Sequence, residues 1–175
     1  MRTQPQDIIK KLEAHNSRLD KESILFGAMG EGLDEFFEGV TMALDPLVTF
    51  GVKQVPERTD VLTGQGLAWE TFVELAMNLA GRKLTGHAAR DAIELAMGVA
   101  TTEQWNGFYR RILIKDLRCG CSEKTVNKVA KKFPQYAIPT FTCALAHDSA
   151  NHEKKMVGKK QIEVKLDGVR VLAVC

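Results

Sequence analysis

Apolar residues recur at helical spacing from the N-terminus to about residue 133, and only residues 161–175 alternate at strand spacing. Ile8, Ile9 and Leu12, following Pro5, predict a first amphipathic helix. Leu33, Phe36, Phe37, Val40 and Leu44 keep an i, i+3, i+4, i+7 rhythm that predicts another, closed by Pro46. Between them, Ile24, Leu25 and Ala28 suggest a short helix ending near Gly30, while Leu47 to Val55 has no helical period and reads as an extended connection. From Leu67 onward two apolar rows, Ala68/Phe72/Leu75/Leu79 and Trp69/Val73/Ala76/Ala80, cover most of a helix circumference, which predicts a centrally placed helix. Gly81 and Gly86 bracket a short connection, Arg82-Lys83-Leu84-Thr85, before an alanine-rich helix from about Ala88 to Val99.

The next pair of predicted helices is cationic. Between Glu103 and Leu117, Trp105, Phe108, Tyr109, Ile112 and Leu113 form one buried face, and Arg111, Lys115 and Arg118 recur on another. Gly120 suits a left-handed C-cap and Ser122 an N-cap for a helix whose core stripe is Val126, Val129, Ala130 and Phe133. Its opposite stripe is Lys124, Lys128, Lys131 and Lys132. Such a hairpin can clamp a phosphate, since free N–H groups and the helix dipole both favour an anion at a helix N-terminus. A helical hairpin with a lysine-rich solvated face has the same pattern. After it, Pro134 and Pro139 bound a short extended segment, and residues 142–161 read as a polar linker in which His147 and His152 are exposed loop histidines. The end of the chain, Gln161 to Cys175, reads as two short strands joined near Asp167-Gly168.

Composition adds bounds. The chain has 175 residues, 45% apolar and 26% charged, a net charge of +2 and five prolines, which fits one soluble globular domain with room for an incomplete second. It contains no apolar run of membrane-span length and no signal-peptide pattern at its start, so the expected location is the cytoplasm. Cys119, Cys121, Cys143 and Cys175 lack partners at zinc spacing and read as reduced thiols. Near-neutrality hides an asymmetry: residues 1–60 carry seven basic and eleven acidic side chains, whereas residues 101–135 carry eight basic and three acidic. A basic C-terminal half favours a polyanionic partner.

Lys165-Leu-Asp167-Gly168-Val-Arg170, preceded by Glu163 on the same strand face as Lys165, gathers a lysine, acids, a glycine and an arginine in one predicted hairpin. As a bare pattern Asp-Gly marks an ordinary turn. With its flanking residues the segment resembles the Lys-x-Asp-Gly-x-Arg nucleotidyltransferase motif of ATP-dependent DNA and RNA ligases and mRNA capping enzymes. Two further segments, Leu79-Ala-Gly-Arg-Lys-Leu-Thr-Gly-His-Ala-Ala89 and Tyr109-Arg-Arg-Ile-Leu-Ile-Lys-Asp-Leu-Arg-Cys-Gly-Cys-Ser-Glu-Lys-Thr-Val-Asn-Lys-Val129, resemble the helical domain of DNA ligases of the T-even-phage type. RNA ligases and capping enzymes have no such domain before their lysine motif. Residues 67–175 carry the resemblance, and residues 1–66 match only in being helical. Glu163 is a departure, since close phage relatives can carry Gln there and cellular ligases commonly have Glu.

The resemblance implies a mainly α chain: an all-α helical DNA-binding domain over 1–137, then a linker and the start of an α+β nucleotidyltransferase domain over 138–175. It implies an ATP-dependent ligase that seals nicks in double-stranded DNA in replication, repair and recombination, acting as a monomer with ATP and Mg²⁺. Lys165 is the implied nucleophile. Its amine would attack the α-phosphate of ATP, and near its ordinary pKa of ~10.4 it is protonated at neutral pH, so Arg170 and Mg²⁺ are the cations expected to lower that value. Glu163 is implied to lie near the adenine, Arg170 near the ribose and phosphates, and Asp167 to fix the turn or order the metal's water. Arg82, Lys83, Arg118, Lys124 and Lys128 are the implied DNA-backbone contacts, supported by Thr85, Gly86, Gly120 and Ser122. The family needs further catalytic segments and an OB-fold domain that do not occur in these 175 residues, so no adenylation by this chain alone is expected. The alternative is a truncated product that acts only as a non-sequence-specific duplex-binding module.

Overall fold

Pro5 and Asp7 set the start of the first helix, α1 (Pro5–Glu13): proline occupies the first turn, where its missing N–H is not needed, and the Asp7 carboxylate accepts from the Gln4 N–H at 3.3 Å. These positions belong to a computed structural model that describes residues 3–60, 64–140 and 157–159. The chain divides into two compact units, Met1–Phe141 and Thr142–Cys175, and of the second only residues 157–159 are described. The predicted strand pair, Glu163, Lys165, Asp167 and Arg170 lie outside the described residues, as do His147, His152, Cys143 and Cys175.

The first unit is mainly α, with no strand among its described residues. After α1 come α2 (Arg18–Gly30), α3 (Asp34–Leu44), α4 (Trp69–Ala80) and α5 (Gly86–Val99). Then α6 (Thr102–Gln104), a π-helical turn (Trp105–Tyr109) and α7 (Arg110–Leu113) run on without a break. Last are α8 (Glu123–Ala130) and a 3₁₀ turn (Pro134–Tyr136). The helix expected only around residues 24–30 begins at Arg18, because Ser17 accepts the Asp20 N–H at 3.4 Å and Arg18 pairs with Glu22 one turn on. Its first turn escapes an apolar reading because Leu19 is solvent-exposed. The segment between the two prolines is likewise not simply extended, since Pro134 opens the 3₁₀ turn that brings the Tyr136 hydroxyl 2.6 Å from Asp34.

An aromatic core holds these helices. The rings of Phe72 and Tyr109 stack at 4.3 Å between centroids, Phe36 and Trp69 each stack on Phe108 at 5.8 Å, and Trp105 and Phe108 are fully buried. Gly39 lets α3 close on this helix, since a β-carbon there would stand 2.5 Å from the Phe108 ring and 2.7 Å from Ile112. The Tyr109 hydroxyl donates to the Leu67 carbonyl at 2.9 Å, and burial, with Glu35 and Glu70 adding to it, raises its pKa to about 12. The helix expected to be buried around most of its circumference is not: α4 buries Trp69, Phe72, Leu75, Ala76 and Leu79, while Glu70, Thr71, Glu74 and Met77 face solvent.

The extended connection is sewn to this core by side chains that periodicity does not reveal. Trp105 donates to the Pro56 carbonyl at 2.9 Å, Arg110 to that of Val55 at 2.9 Å, and Asn106 exchanges hydrogen bonds with the Arg58 backbone at 2.8 and 2.9 Å. Arg58 itself is buried and donates to Met97 at 2.7 Å, Gly98 at 3.0 Å and Ala100, closing the C-terminus of α5. Carbonyls of a last helical turn have no partner within the helix, and one guanidinium satisfies this set.

Candidate nucleic-acid interface

Among the described residues, three non-glycine residues adopt left-handed backbone conformations, and all three are basic: Arg82 (φ 58°), Lys115 (φ 61°) and Arg118 (φ 52°). For Arg82 and Lys115 the cause is the way their helices stop. At the end of α4 the Arg82 N–H bonds to the Leu79 carbonyl at 3.1 Å and the Lys83 N–H to that of Asn78 at 2.9 Å. At the end of α7 the Lys115 N–H bonds to Ile112 at 3.0 Å and the Asp116 N–H to Arg111 at 3.0 Å. Both are Schellman closures, whose left-handed position usually belongs to glycine. The end of α2 shows the usual form, with Gly32 at φ 67°. Gly81 misses the left-handed site by one residue, at φ −75°, which hands the strained conformation to Arg82.

The same closure corrects the cationic stripe expected on residues 103–117. The helix ends at Leu113 and not near Leu117, and Gly120, though left-handed, is not its cap. Lys115 turns inward, donating to the carbonyls of Met42 at 2.8 Å and Asp45 at 2.6 Å around the end of α3, and desolvation lowers its pKa. Arg111 is mostly buried, bonding to Glu13 at 2.6 Å and to the Asn106 and Leu117 carbonyls. Those two charges therefore stabilise the fold, and Arg118 alone of the three stays half exposed, 3.8 Å from Glu57 and 3.9 Å from Asp116.

The remaining predicted contacts fall in two places. At the α4–α5 turn, Arg82 and Lys83 are exposed, and Arg82 donates to the Thr49 hydroxyl at 2.8 Å. At α8, Lys124 is exposed and forms no ion pair among the described residues, whereas Lys128 bonds to both oxygens of Glu22 at 2.8 and 2.7 Å. That bond, ahead of the charges of Lys128 and Arg18, holds the Glu22 carboxyl below its ordinary range. Thr85 and Ser122 precede α5 and α8 in extended conformation, and neither side chain caps its helix; the Ser122 hydroxyl lies 3.4 Å from that of Thr125.

Between the α4–α5 turn and Arg118 lies a feature that spacing does not show. An open cleft of about 620 Å³ is lined by Lys53, Arg90, Arg110 and Arg118 together with Glu94 and Asp116. Arg110 is fixed by Val55 and by Glu57 at 3.1 Å, while Lys53 and Arg90 are exposed and form no ion pair among the described residues. The extended segment links the two predicted patches, since its Thr49 end touches Arg82 and its Glu57 end touches Arg118. Lys53 and Arg90 are isolated charges in sequence, one in an aperiodic stretch and one in an alanine-rich helix, so only the chain's folding brings them together. Among the described residues, no group of three or more His, Cys, Asp and Glu could hold a metal ion, and no helix is long and apolar enough to cross a membrane.

No family model matches the chain, and no curated protein matches it significantly. Among solved structures, it is similar to "Pmar-Lig_PreS3" at 66% identity and a TM-score of 0.80 over 90% of this chain, and to "Pmar-Lig_Pre." at 67% identity and 0.83 over 96%. The chain spans 36% and 39% of the lengths of those two chains. What it resembles is a portion of Pmar-Lig, a DNA ligase.

Proposed function

We propose that this chain is the N-terminal portion of an ATP-dependent DNA ligase, and that its helical unit grips duplex DNA around a nick. The observation that carries this reading is two-thirds sequence identity, over nine-tenths or more of the chain, to a portion of Pmar-Lig. The physical support is a surface suited to phosphates: Arg82 and Lys83 at one turn, Lys53, Arg90 and Arg118 along the cleft, and Lys124 on α8. Contacts of this kind confer affinity without reading sequence, as an enzyme that seals any nick requires. Lys128 contributes less, because Glu22 already neutralises it.

In the complete reaction Lys165 would be the nucleophile. Its Nζ would lose a proton and bond to the α-phosphorus of ATP as the bond to the β-phosphate oxygen breaks and pyrophosphate leaves. Glu163 would meet the adenine, and Arg170 would stabilise the phosphate charge and favour the neutral amine. Mg²⁺ would supply further neutralisation on the phosphates.

The test is binding of nicked duplex by the 175-residue chain, titrated with salt. We expect log affinity to fall linearly with log salt, and the combined change of Lys124→Ala and Arg118→Ala to reduce that slope by about two. A slope that does not respond to these changes would remove the proposed surface. In the complete enzyme, incubation with labelled ATP and magnesium tests the ligase reading: we expect covalent label on the parent and none on Lys165→Ala, and label that the variant still takes up excludes Lys165 as the nucleophile.

A further inference from the structure

Helix α5 carries more apolar surface than the fold uses. Of its fourteen residues only Ala89 and Ile93 are buried. A second row, Ala92, Leu95, Ala96 and Val99, recurs at i, i+3, i+4 and i+7, the spacing of a face that packs on another helix. This row stays open to solvent, with Leu95 72% and Val99 42% exposed. Together with Leu67, Leu75 and Leu84 it lines an open groove of about 600 Å³, whose α4 wall is Thr71, Glu74 and Asn78, again at helical spacing. Single surface leucines are ordinary, but a contiguous apolar stripe along a groove marks a binding surface.

Shape and charge together select the occupant. Two neighbouring helices that present rows at i, i+3, i+7 accept a third helix between them, with apolar anchors at the same spacing. Ala92 and Ala96 are small enough to let it come close to α5. The lining holds one charged residue, Glu74, and no lysine or arginine. Glu70 stands one turn before Glu74, and Asp91 one turn before Leu95; all three carboxylates are exposed and form no ion pair among the described residues. Glu13, Glu22 and Glu57, by contrast, are each held by an arginine or lysine of another element. An apolar floor rimmed by unneutralised carboxylates is complementary to a helix whose apolar stripe is flanked by lysine or arginine. The same rim turns other occupants away. It repels duplex phosphates, and the basic cleft, lined by Arg90 and Glu94, uses a different flank of α5 from the groove. In a twofold pairing of two copies the patch would meet itself, carboxylates against carboxylates.

We propose that the groove between α4 and α5 is the docking site for a basic amphipathic α-helix of another protein. The apolar stripe of that helix seats on Ala92, Leu95, Ala96 and Val99, and its cations pair with Glu70, Glu74 and Asp91. Docking there does not depend on duplex binding by the rest of the unit.

The experiment uses the 175-residue chain and two fluorescently labelled synthetic peptides of about 18 residues, long enough to form a helix on docking. Both carry leucine at i, i+3, i+4 and i+7; the flanking positions are lysine in one and glutamate in the other. In fluorescence anisotropy at low salt, we expect the lysine peptide to bind roughly tenfold more tightly than the glutamate peptide, a preference that added salt reduces. Leu95→Ser removes an apolar anchor without altering charge and should weaken the lysine peptide roughly tenfold. Because Leu95 is exposed, the urea midpoint of that variant should match the parent's. Glu70→Lys with Glu74→Lys should reverse the order of the two peptides. Equal binding of both peptides, or lysine-peptide binding that Leu95→Ser leaves unchanged, overturns the site, and an order that the double change does not reverse overturns the charge match. Sedimentation equilibrium of the chain alone tests for a second copy: a dimer that Leu95→Ser dissociates overturns the separate partner. Peptide binding that the complete enzyme lacks overturns it in favour of the enzyme's own later segments.

Discussion

Arg82 shows most directly how a conformation unfavourable for the fold can coincide with a place on the proposed duplex-binding surface. A left-handed conformation costs a residue with a β-carbon ~1–2 kcal/mol, and the chain has a glycine next door that could have occupied it. With Gly81 one position early, the guanidinium is thrown outward over Gly51 onto Thr49, at the mouth of the segment that leads to the basic cleft. Strain of this kind collects at functional sites. Arg82→Gly is therefore expected to leave unfolding stability within about 1 kcal/mol of the parent, since relief of strain offsets the lost hydrogen bond. The same change should weaken binding to nicked duplex about threefold and lower its salt slope by about one. Chemical denaturation and a salt titration on one preparation check both halves, and loss of stability with unchanged binding would make Arg82 a structural residue. The Arg-Lys pair between two glycines was legible in the sequence as an exposed cationic turn. Its left-handed geometry was not, because glycine spacing alone does not say which neighbour takes the cap.

Helices were legible where an apolar face repeats, as in α3, α5 and the run from Thr102 to Leu113, and illegible where polar groups decide. Ser17 and the Arg18–Glu22 pair extend α2 beyond its apolar stripe, and Lys115 ends α7 four residues before apolar Leu117. The cationic row at Arg111, Lys115 and Arg118 misled for a physical reason: a lysine or arginine stem is long enough to snorkel into carbonyl clusters, so regular spacing does not imply exposure. Arg58 is the extreme case, a lone cation in an aperiodic stretch that fastens the end of α5 to the connection beneath it. Arg58→Ala would leave the Met97, Gly98 and Ala100 carbonyls without this donor and open a hole beside Asn106 and Trp105. We expect a loss of about 2–4 kcal/mol in urea unfolding, with Arg58→Lys recovering only part because an ammonium lacks the guanidinium's planar fork. A loss below about 1 kcal/mol would mean that water serves those carbonyls equally well.

Over the whole chain, net charge describes almost nothing, and the pairing of charges decides what is available to a partner. The sequence places eight basic residues in 101–135, yet Arg110, Arg111, Lys115 and Lys128 are bound to carbonyls or carboxylates of other elements. Cations left open come partly from elsewhere, Lys53 from the connection and Arg90 from α5, and no one-dimensional pattern shows either of them. Glu22 is the clearest control on this balance, because it occupies Lys128 and Arg18 together at 2.7 and 3.0 Å. Replacing its carboxylate with an amide, Glu22→Gln, removes one negative charge and returns Lys128 to solvent. Duplex affinity should rise, and the salt slope should steepen by about one counterion. Lys53→Ala with Arg90→Ala should flatten the same slope by about two. Equal slopes for the parent and Glu22→Gln would place α8 away from the phosphates, and DNA would then follow the cleft and the α4–α5 turn alone.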